Sequence, residues 1–236
     1  MKIILIGYGK MGKMIESISL DTHEEVIARV TKTEDIASYI GKVDVAIEFT
    51  RPEAAVANII ECFKAGIPVV SGTTGWLADL PRVVEMAEKH KGALLYSSNF
   101  SIGVQLFFRI CHKVAGLLSE FPEYTPSIQE IHHTRKLDAP SGTAITLSEK
   151  VLPYYPHLAG YTLDRESSAF LHIEAIRQGD VTGIHELKFT SEVDKISIRH
   201  EAFTREGFAR GALAAARWLI GRTGIFTMDD MLNINF

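Results

Sequence analysis

The groups best able to do chemistry lie together between Glu130 and Ala144. His132, His133, Arg135 and Lys136 put two imidazoles, a guanidinium and an ammonium within five residues. On an extended strand His132 and His133 point to opposite faces, so they do not converge on one metal ion. No C-x-x-C pair is present either, and no metal is expected. One imidazole can face a site while the other packs elsewhere. Pro140-Ser141-Gly142-Thr143 then opens a helix in which Ser141 suits the N-cap. Glu149 is too far along to complete a capping box. The amides of Gly142 and Thr143 form an anion cradle, and cations beside it suit a small substrate carrying carboxylates. The plainer reading is a charged surface loop with an ordinary cap. Glu130 and Asp138 read as structural partners, and Arg135 is open between the two readings.

A second group of residues suits a nucleotide. Ile3-Ile4-Leu5-Ile6 is a continuous apolar run, followed at once by Gly7-Tyr8-Gly9-Lys10-Met11-Gly12 and a helical stretch from Lys13 to Leu20. In G-x-G-x-x-G the first glycine permits the turn and the second admits a pyrophosphate. The third lets the helix pack against its strand while helix N–H groups face the anion. The second strand, Glu25–Val30, ends in Thr31-Lys32-Thr33 with no acid before Glu34. An acid there would take a ribose 2′-hydroxyl. A cation with two hydroxyls suits a 2′-phosphate at least as well, which favours NADPH and leaves NADH open. The bland alternative makes Lys32 an ordinary loop lysine. Gly72-Thr73-Thr74-Gly75 and Ser97-Ser98-Asn99-Phe100-Ser101 follow further apolar runs, and small residues at such strand ends let a flat ring lie against backbone.

Strands and helices alternate through the first hundred residues. Strands are expected over Val43–Thr50, Pro68–Ser71 and Ala93–Ser97, and helices over Glu53–Ala65 and Leu80–His90. This is the pattern of an α/β, Rossmann-type doubly wound parallel sheet. The linker from Lys32 to Lys42 is short for a crossover helix. After a long amphipathic helix from Ile102 to Ser119, whose Cys111 and phenylalanines read as core, strands dominate: Ser127–His133, Ala169–Arg177, Ile184–Ser191 and Lys195–Ala202. A helix from Gly142 to Leu152 interrupts them and stops at Pro153. The expectation is an α+β substrate and oligomerisation domain with an antiparallel or mixed sheet over residues 103–208. The dinucleotide-binding domain takes residues 1–102 and 209–236, with the alanine-rich helix from Arg205 to Ile220 returning to it.

The 236 residues, 46% hydrophobic and 23% charged, suit one large or two small globular domains. A net charge of 25 − 29 = −4 argues against nucleic-acid or anionic-membrane binding. No window approaches a transmembrane span, and Gly7 cuts the apolar start too early for a signal segment. Cys62 and Cys111 make no disulfide framework, so a reducing, cytoplasmic setting is expected.

The run His132-His133-x-x-Lys136-x-Asp138-Ala139-Pro140-Ser141-Gly142-Thr143-Ala144 resembles the dihydrodipicolinate reductase family. Supporting matches stand in order along the whole chain: Gly7 to Gly12, Glu48-Phe49-Thr50, Gly72 to Gly75, Ser98 to Ser101, Arg177-x-Gly179-x-x-x-Gly183-x-His185, and Gly224 to Leu232. The chain departs from many members in its shorter first loop, in Lys10 where arginine is usual, and in Thr31-Lys32 where an acid is typical. These departures bear on cofactor preference rather than on the reaction.

The resemblance implies NAD(P)H-dependent reduction of 4-hydroxy-tetrahydrodipicolinate to tetrahydrodipicolinate, a step of lysine and diaminopimelate biosynthesis. It implies a cofactor lying along Gly7, Tyr8, Gly9, Lys10, Met11, Gly12, Gly72, Thr73, Thr74, Ser97, Ser98, Asn99 and Phe100. Lys136 would donate the proton, as an ammonium can where neighbouring cations lower its pKa, and His132 would assist. His133, Gly142 and Thr143 would hold the carboxylates of the cyclic substrate. Closure would hinge near residues 99–103 and 205–210, in a homotetramer built through the second domain's sheet. Another amino-acid dehydrogenase, of aspartate or homoserine type, would explain the first hundred residues equally but leave His132 to Ala144 without a role. A non-catalytic nucleotide sensor would be expected to lack the proton donor.

Overall fold

The computed structural model describes residues 1–165 and 167–233. In chain order come β1 (Lys2–Ile6), α1 (Lys10–Asp21), β2 (Glu25–Val30), β3 (Val45–Glu48), α2 (Pro52–Lys64), β4 (Val69–Ser71), α3 (Leu80–His90) and β5 (Ala93–Tyr96). Then follow α4 (Ile102–Leu118), β6 (Thr125–His132), α5 (Gly142–Val151), β7 (Tyr161–Thr162), β8 (Leu171–Arg177), β9 (Gly183–Thr190) and β10 (Lys195–Ala202). The chain closes with α6 (Glu206–Leu219), β11 (Gly224–Phe226) and α7 (Met228–Leu232). It divides into two compact units, one formed by Met1–Ile102 with the chain from Glu206 on, the other by Gly103–Arg205. The return falls at Glu206, where α6 starts, rather than at residue 209. Residues 234–236 of the expected first domain lie outside the described residues.

The first unit is a six-stranded sheet in the order β11-β5-β4-β3-β1-β2, parallel throughout. Alternation along β1 sends Ile4 and Ile6 to one face and Ile3 and Leu5 to the other. Ile59, Ile60 and Phe63 of α2 and Val83 of α3 cover the first face. Ile15 and Ile18 of α1 and the alanine-rich side of α6 cover the second. A strand apolar on both faces needs this double cover, which is why these segments carry no polar alternation. Pro52 at the start of α2 and Gly66, at φ +66° just past its end, bound that helix. Residues between β2 and β3 form a 3-10 helix, Thr33–Tyr39, rather than a full crossover helix.

The second unit has a mixed sheet, β10-β9-β6-β8-β7, in which β10, β9 and β6 pair antiparallel and β6, β8 and β7 parallel. One face packs Ile128, Leu171, Ile173, Leu187 and Phe189 against Phe107, Phe108 and Cys111 of α4 and Ala144, Leu147 and Val151 of α5. Cys111 and both phenylalanines are thus core, as their helical spacing suggests. Cys62 and Cys111 are free and buried; burial pushes the Cys111 thiol up to about 12 and raises that of Cys62 too. No helix among the described residues is long and apolar enough to cross a membrane.

Candidate active site

In the second unit the site is built on the end of β6 and the start of α5. The strand pattern buries Ile128, Glu130 and His132 on one face. Glu130 is fully buried, and a carboxylate there persists only because every side of it is met. One oxygen bonds His132 Nδ1. The other accepts from Arg177 Nη2 at 2.8 Å and from the Ser141 amide at 3.2 Å. Burial pushes this carboxyl up, but the hydrogen bonds of His132 and Arg177 outweigh it and leave the group below the usual range.

Ser141 caps α5 as expected, its Oγ accepting from the Ala144 amide at 3.2 Å. That Oγ lies 3.0 Å from His185 Nε2, within hydrogen-bond distance. Burial, aided by His132, pushes the His185 imidazole down to about 3, so it is neutral. The cap serves Ala144, and the amides of Gly142 and Thr143 fall in the first turn of α5, where no intrahelical carbonyl can reach them. A Cβ on Gly142 would meet nothing within 4 Å, so the cradle opens on free space. Glu130, His132 and His185 do bring donor atoms within 4.8 Å of one another. Their lone pairs already serve His132, Arg177 and Ser141, and a guanidinium borders the cluster, so the arrangement is a hydrogen-bonded network.

Lys136 Nζ sits 2.8 and 2.7 Å from the two Asp138 oxygens. Its nearest charged partner is an anion, not the cations on which the sequence argument leaned. Lys136 in turn, through its hydrogen bond, holds the Asp138 carboxyl below the usual range. His133 follows the strand and parts from His132, as the alternation requires. Its Nε2 accepts from Arg205 at 3.2 Å, while its Nδ1 is buried without a partner among the described residues. Burial and then Arg135 and Arg205 hold its pKa below the ordinary value, so it is neutral with the proton on Nδ1. Arg135 pairs with Asp180 at 2.8 Å on the surface. Arg177, His185 and Arg205 escaped the sequence reading as site members. The first two stood in a spaced glycine motif far from the cluster, and Arg205 gave no signal.

In the first unit the loops at the strand C-termini carry the residues expected to meet a nucleotide. Gly7 has φ +88°, and a Cβ there would stand 2.2 Å from the Phe49 carbonyl oxygen. A Cβ on Gly12 would stand 2.6 Å from the Gly7 carbonyl oxygen, so strand, turn and helix pack in contact. Around Gly9, by contrast, a Cβ would meet nothing within 4 Å. Gly9 is the N-cap of α1 with no side chain to offer, and the first turn holds Lys10 and no acid. An open space before uncapped amides and a cation fits the pyrophosphate of a nicotinamide dinucleotide. Tyr8 bonds Glu16 and lies under Arg29, 5.2 Å from ring centroid to guanidinium carbon, while Arg29 also pairs with Glu16. Lys32 is exposed at the end of β2, and Thr33 bonds Asn58 at 2.7 Å.

Glu48, unremarked in function by sequence, is fully buried at the end of β3. It accepts from Ser71 Oγ at 2.6 Å, Thr73 Oγ1 at 2.9 Å, the Thr50 amide at 3.1 Å and the Thr50 hydroxyl. It therefore ties the loops after β3 and β4 together. Thr73 is held from two sides, its carbonyl also accepting from Trp76 at 2.8 Å. Gly72 is required because a Cβ would overlap the Phe49 ring at 2.0 Å. Thr74 and Ser98 are exposed, and Ser97 and Asn99 bond one another at the end of β5. Phe100 is a correction: its ring is 2% exposed and packs edge-on against Phe49, so only its backbone can meet a nucleotide.

The profile of dihydrodipicolinate reductase, N-terminus, matches residues 1–100, and that of its C-terminus matches residues 103–232. The chain belongs to the dihydrodipicolinate reductase family. A 4-hydroxy-tetrahydrodipicolinate reductase of Christiangramia forsetii is 44% identical over 99% of this chain and 98% of its own length. One of Neisseria gonorrhoeae is 33% identical over 93% and 84%. A dipicolinate-bound dihydrodipicolinate reductase from Paenisporosarcina sp. TG-14 shares the fold, with a TM-score of 0.81, 22% identity and 99% of each chain covered. Family membership removes the aspartate or homoserine dehydrogenase alternative.

Proposed function

We propose that this member of the dihydrodipicolinate reductase family reduces 4-hydroxy-tetrahydrodipicolinate to tetrahydrodipicolinate, the lysine and diaminopimelate step that the family name implies. The observation that carries it is the segment His132 to Thr143, where an ammonium, a carboxylate-bound imidazole and an open helix N-terminus stand on one short stretch. The substrate loses its hydroxyl as water and gains a hydride and a proton. A reduced nicotinamide nucleotide, when bound, supplies the hydride. Gly7, Gly9 and Gly12 leave room for its pyrophosphate beside Tyr8, Lys10 and Met11. Gly72 to Thr74, Ser97 to Asn99 and the Phe100 backbone would hold its nicotinamide half, and Lys32 would meet a 2′-phosphate, which favours NADPH as donor.

The amides of Gly142 and Thr143 take one substrate carboxylate, and His133, with Arg205 beside it, helps to hold the other. Lys136 Nζ gives the proton, and Asp138 holds that ammonium until substrate arrives. His132 assists through Nε2. The chain passes between its units at residues 102/103 and 205/206. Two free, buried thiols support a cytoplasmic setting. A homotetramer through the second unit's sheet is supported by β10, an edge strand with Ile196 exposed and flanked by exposed Val193 and Phe203. Light scattering that returned a monomer would remove it.

The test couples the protein to dihydrodipicolinate synthase with pyruvate, aspartate semialdehyde and NADPH or NADH, following nicotinamide absorbance. Synthase-dependent oxidation is expected. Folded, nucleotide-binding protein that oxidises neither cofactor overturns the reading. Lys136→Ala should lower kcat by about 10²–10⁴, the usual worth of a general acid, and leave nucleotide affinity unchanged. Near-normal turnover would take the proton from elsewhere.

A further inference from the structure

We propose that Glu130 is the positioning residue of the substrate site, holding His132, Arg177 and the start of α5 in one arrangement; this rests on the reductase reading above. Three facts lead to it. Glu130 is fully buried between Ile128 and His132 on the covered face of β6, where a carboxylate is costly unless its oxygens are met. Both oxygens are committed, one to His132 and one shared by Arg177 and the Ser141 amide. Those partners come from three elements: the end of β6, the end of β8 and the N-cap of α5.

The chemistry follows from what a carboxylate can do. It only accepts, so His132 must carry a proton on Nδ1, and Nε2 is the nitrogen turned to other work. A His held through one ring nitrogen by a buried carboxylate is fixed in tautomer and ring orientation, the arrangement that activates the imidazole in acyl-transfer triads. The groups against His132 are Glu130, bonded to its Nδ1, and His185, with ring centroids 5.0 Å apart. His185 is neutral and engaged by Ser141 Oγ, so it does not compete for Glu130. The bond to the Ser141 amide sets where α5 begins, and hence where the Gly142 and Thr143 amides point. Arg177 is steered as well: its Nη2 also reaches the Asp138 carbonyl at 2.6 Å, on the loop that carries Lys136.

The experiment is a cycle of Glu130→Gln, His132→Asn and the double variant, each assayed for kcat, KM and nucleotide affinity in the full-length protein. An amide facing Nδ1 donates where the carboxylate accepted, and forces the other tautomer. Glu130→Gln is expected to lower kcat by about 10²-fold or more with nucleotide affinity unchanged. The double variant is expected to be no slower than His132→Asn, because one residue acts through the other. Losses that multiply, or a Glu130→Gln enzyme with normal kcat, overturn the proposal. A His132→Asn enzyme with normal kcat overturns the underlying role of His132 and this proposal with it. Should Glu130→Gln fail to fold, nitrogen NMR of the wild-type imidazole decides: a proton on His132 Nδ1 supports the proposal, and a bare Nδ1 overturns it.

Discussion

At the scale of single residues, the site is made of groups whose neighbours decide their use. Lys136, the proposed proton donor, is held by Asp138, and His132, its proposed assistant, by Glu130. Lys32 has no such keeper among the described residues. It is exposed after β2, so its charge is available to a 2′-phosphate. Lys32→Glu should therefore shift the kcat/KM ratio from NADPH toward NADH, by roughly the tenfold that 1.4 kcal/mol represents. An unchanged ratio would make Lys32 an ordinary loop lysine and pass the role to Arg29, which also pairs with Glu16 near Tyr8. The reactive residues were legible because they crowd one short motif. Their partners were not: Arg177 lies 47 positions from Glu130 and Arg205 lies 72 from His133, and only the sheet brings them together. That the Phe100 ring belongs to the core was hidden for a related reason. A residue beside a functional loop looks the same in sequence whether its ring faces ligand or core.

At the scale of elements, the glycine-rich turn separates two demands that one motif hides. Gly7 answers to the fold: its positive φ and the 2.2 Å approach to Phe49 leave no place for a side chain. Gly9 answers to the ligand, since a methyl there meets only open space. Gly7→Ala should cost on the order of 1–3 kcal/mol of stability or more, read as a lower denaturant midpoint. Gly9→Ala should keep that midpoint and weaken nucleotide binding. Equal losses of stability in both would deny Gly9 its place before a pyrophosphate. The regular elements were largely legible from apolar runs and period-two alternation. The strand β2, the helix α3 and the strand β10 have the expected bounds. The 3-10 helix after β2 and the short β7, β11 and α7 were not predicted as elements, because two to seven residues carry too little pattern and are held by tertiary pairing.

At the scale of the whole molecule, acid should unfold the protein through buried groups. His185 has a folded pKa of about 3 against an ordinary value of 6.5. Between those values the unfolded chain binds the extra proton, so stability is full above pH 6.5 and falls as pH drops, by up to about 1.4 kcal/mol per unit. Glu130, depressed in the folded state, adds a loss in the same direction at lower pH. Denaturant midpoints at pH 7 and pH 5 should show the decline, and His185→Gln should flatten it. A wild-type midpoint that does not move would mean His185 is already charged. The division into two units was legible as a change from strand–helix alternation to strand-rich sequence, though the return point lay three residues early of the expectation, where Glu206 begins α6.

That return has a consequence for how the chain is made. The second unit is continuous in sequence and leaves the ribosome whole. The parallel sheet does not: one of its faces waits for Ala209, Ala212, Leu213 and Ala216, and its β5 edge waits for β11. A nascent chain of the first hundred residues therefore exposes a bare apolar surface until α6 and β11 have been made, and the second unit, whose last residue is Arg205, has all its parts first.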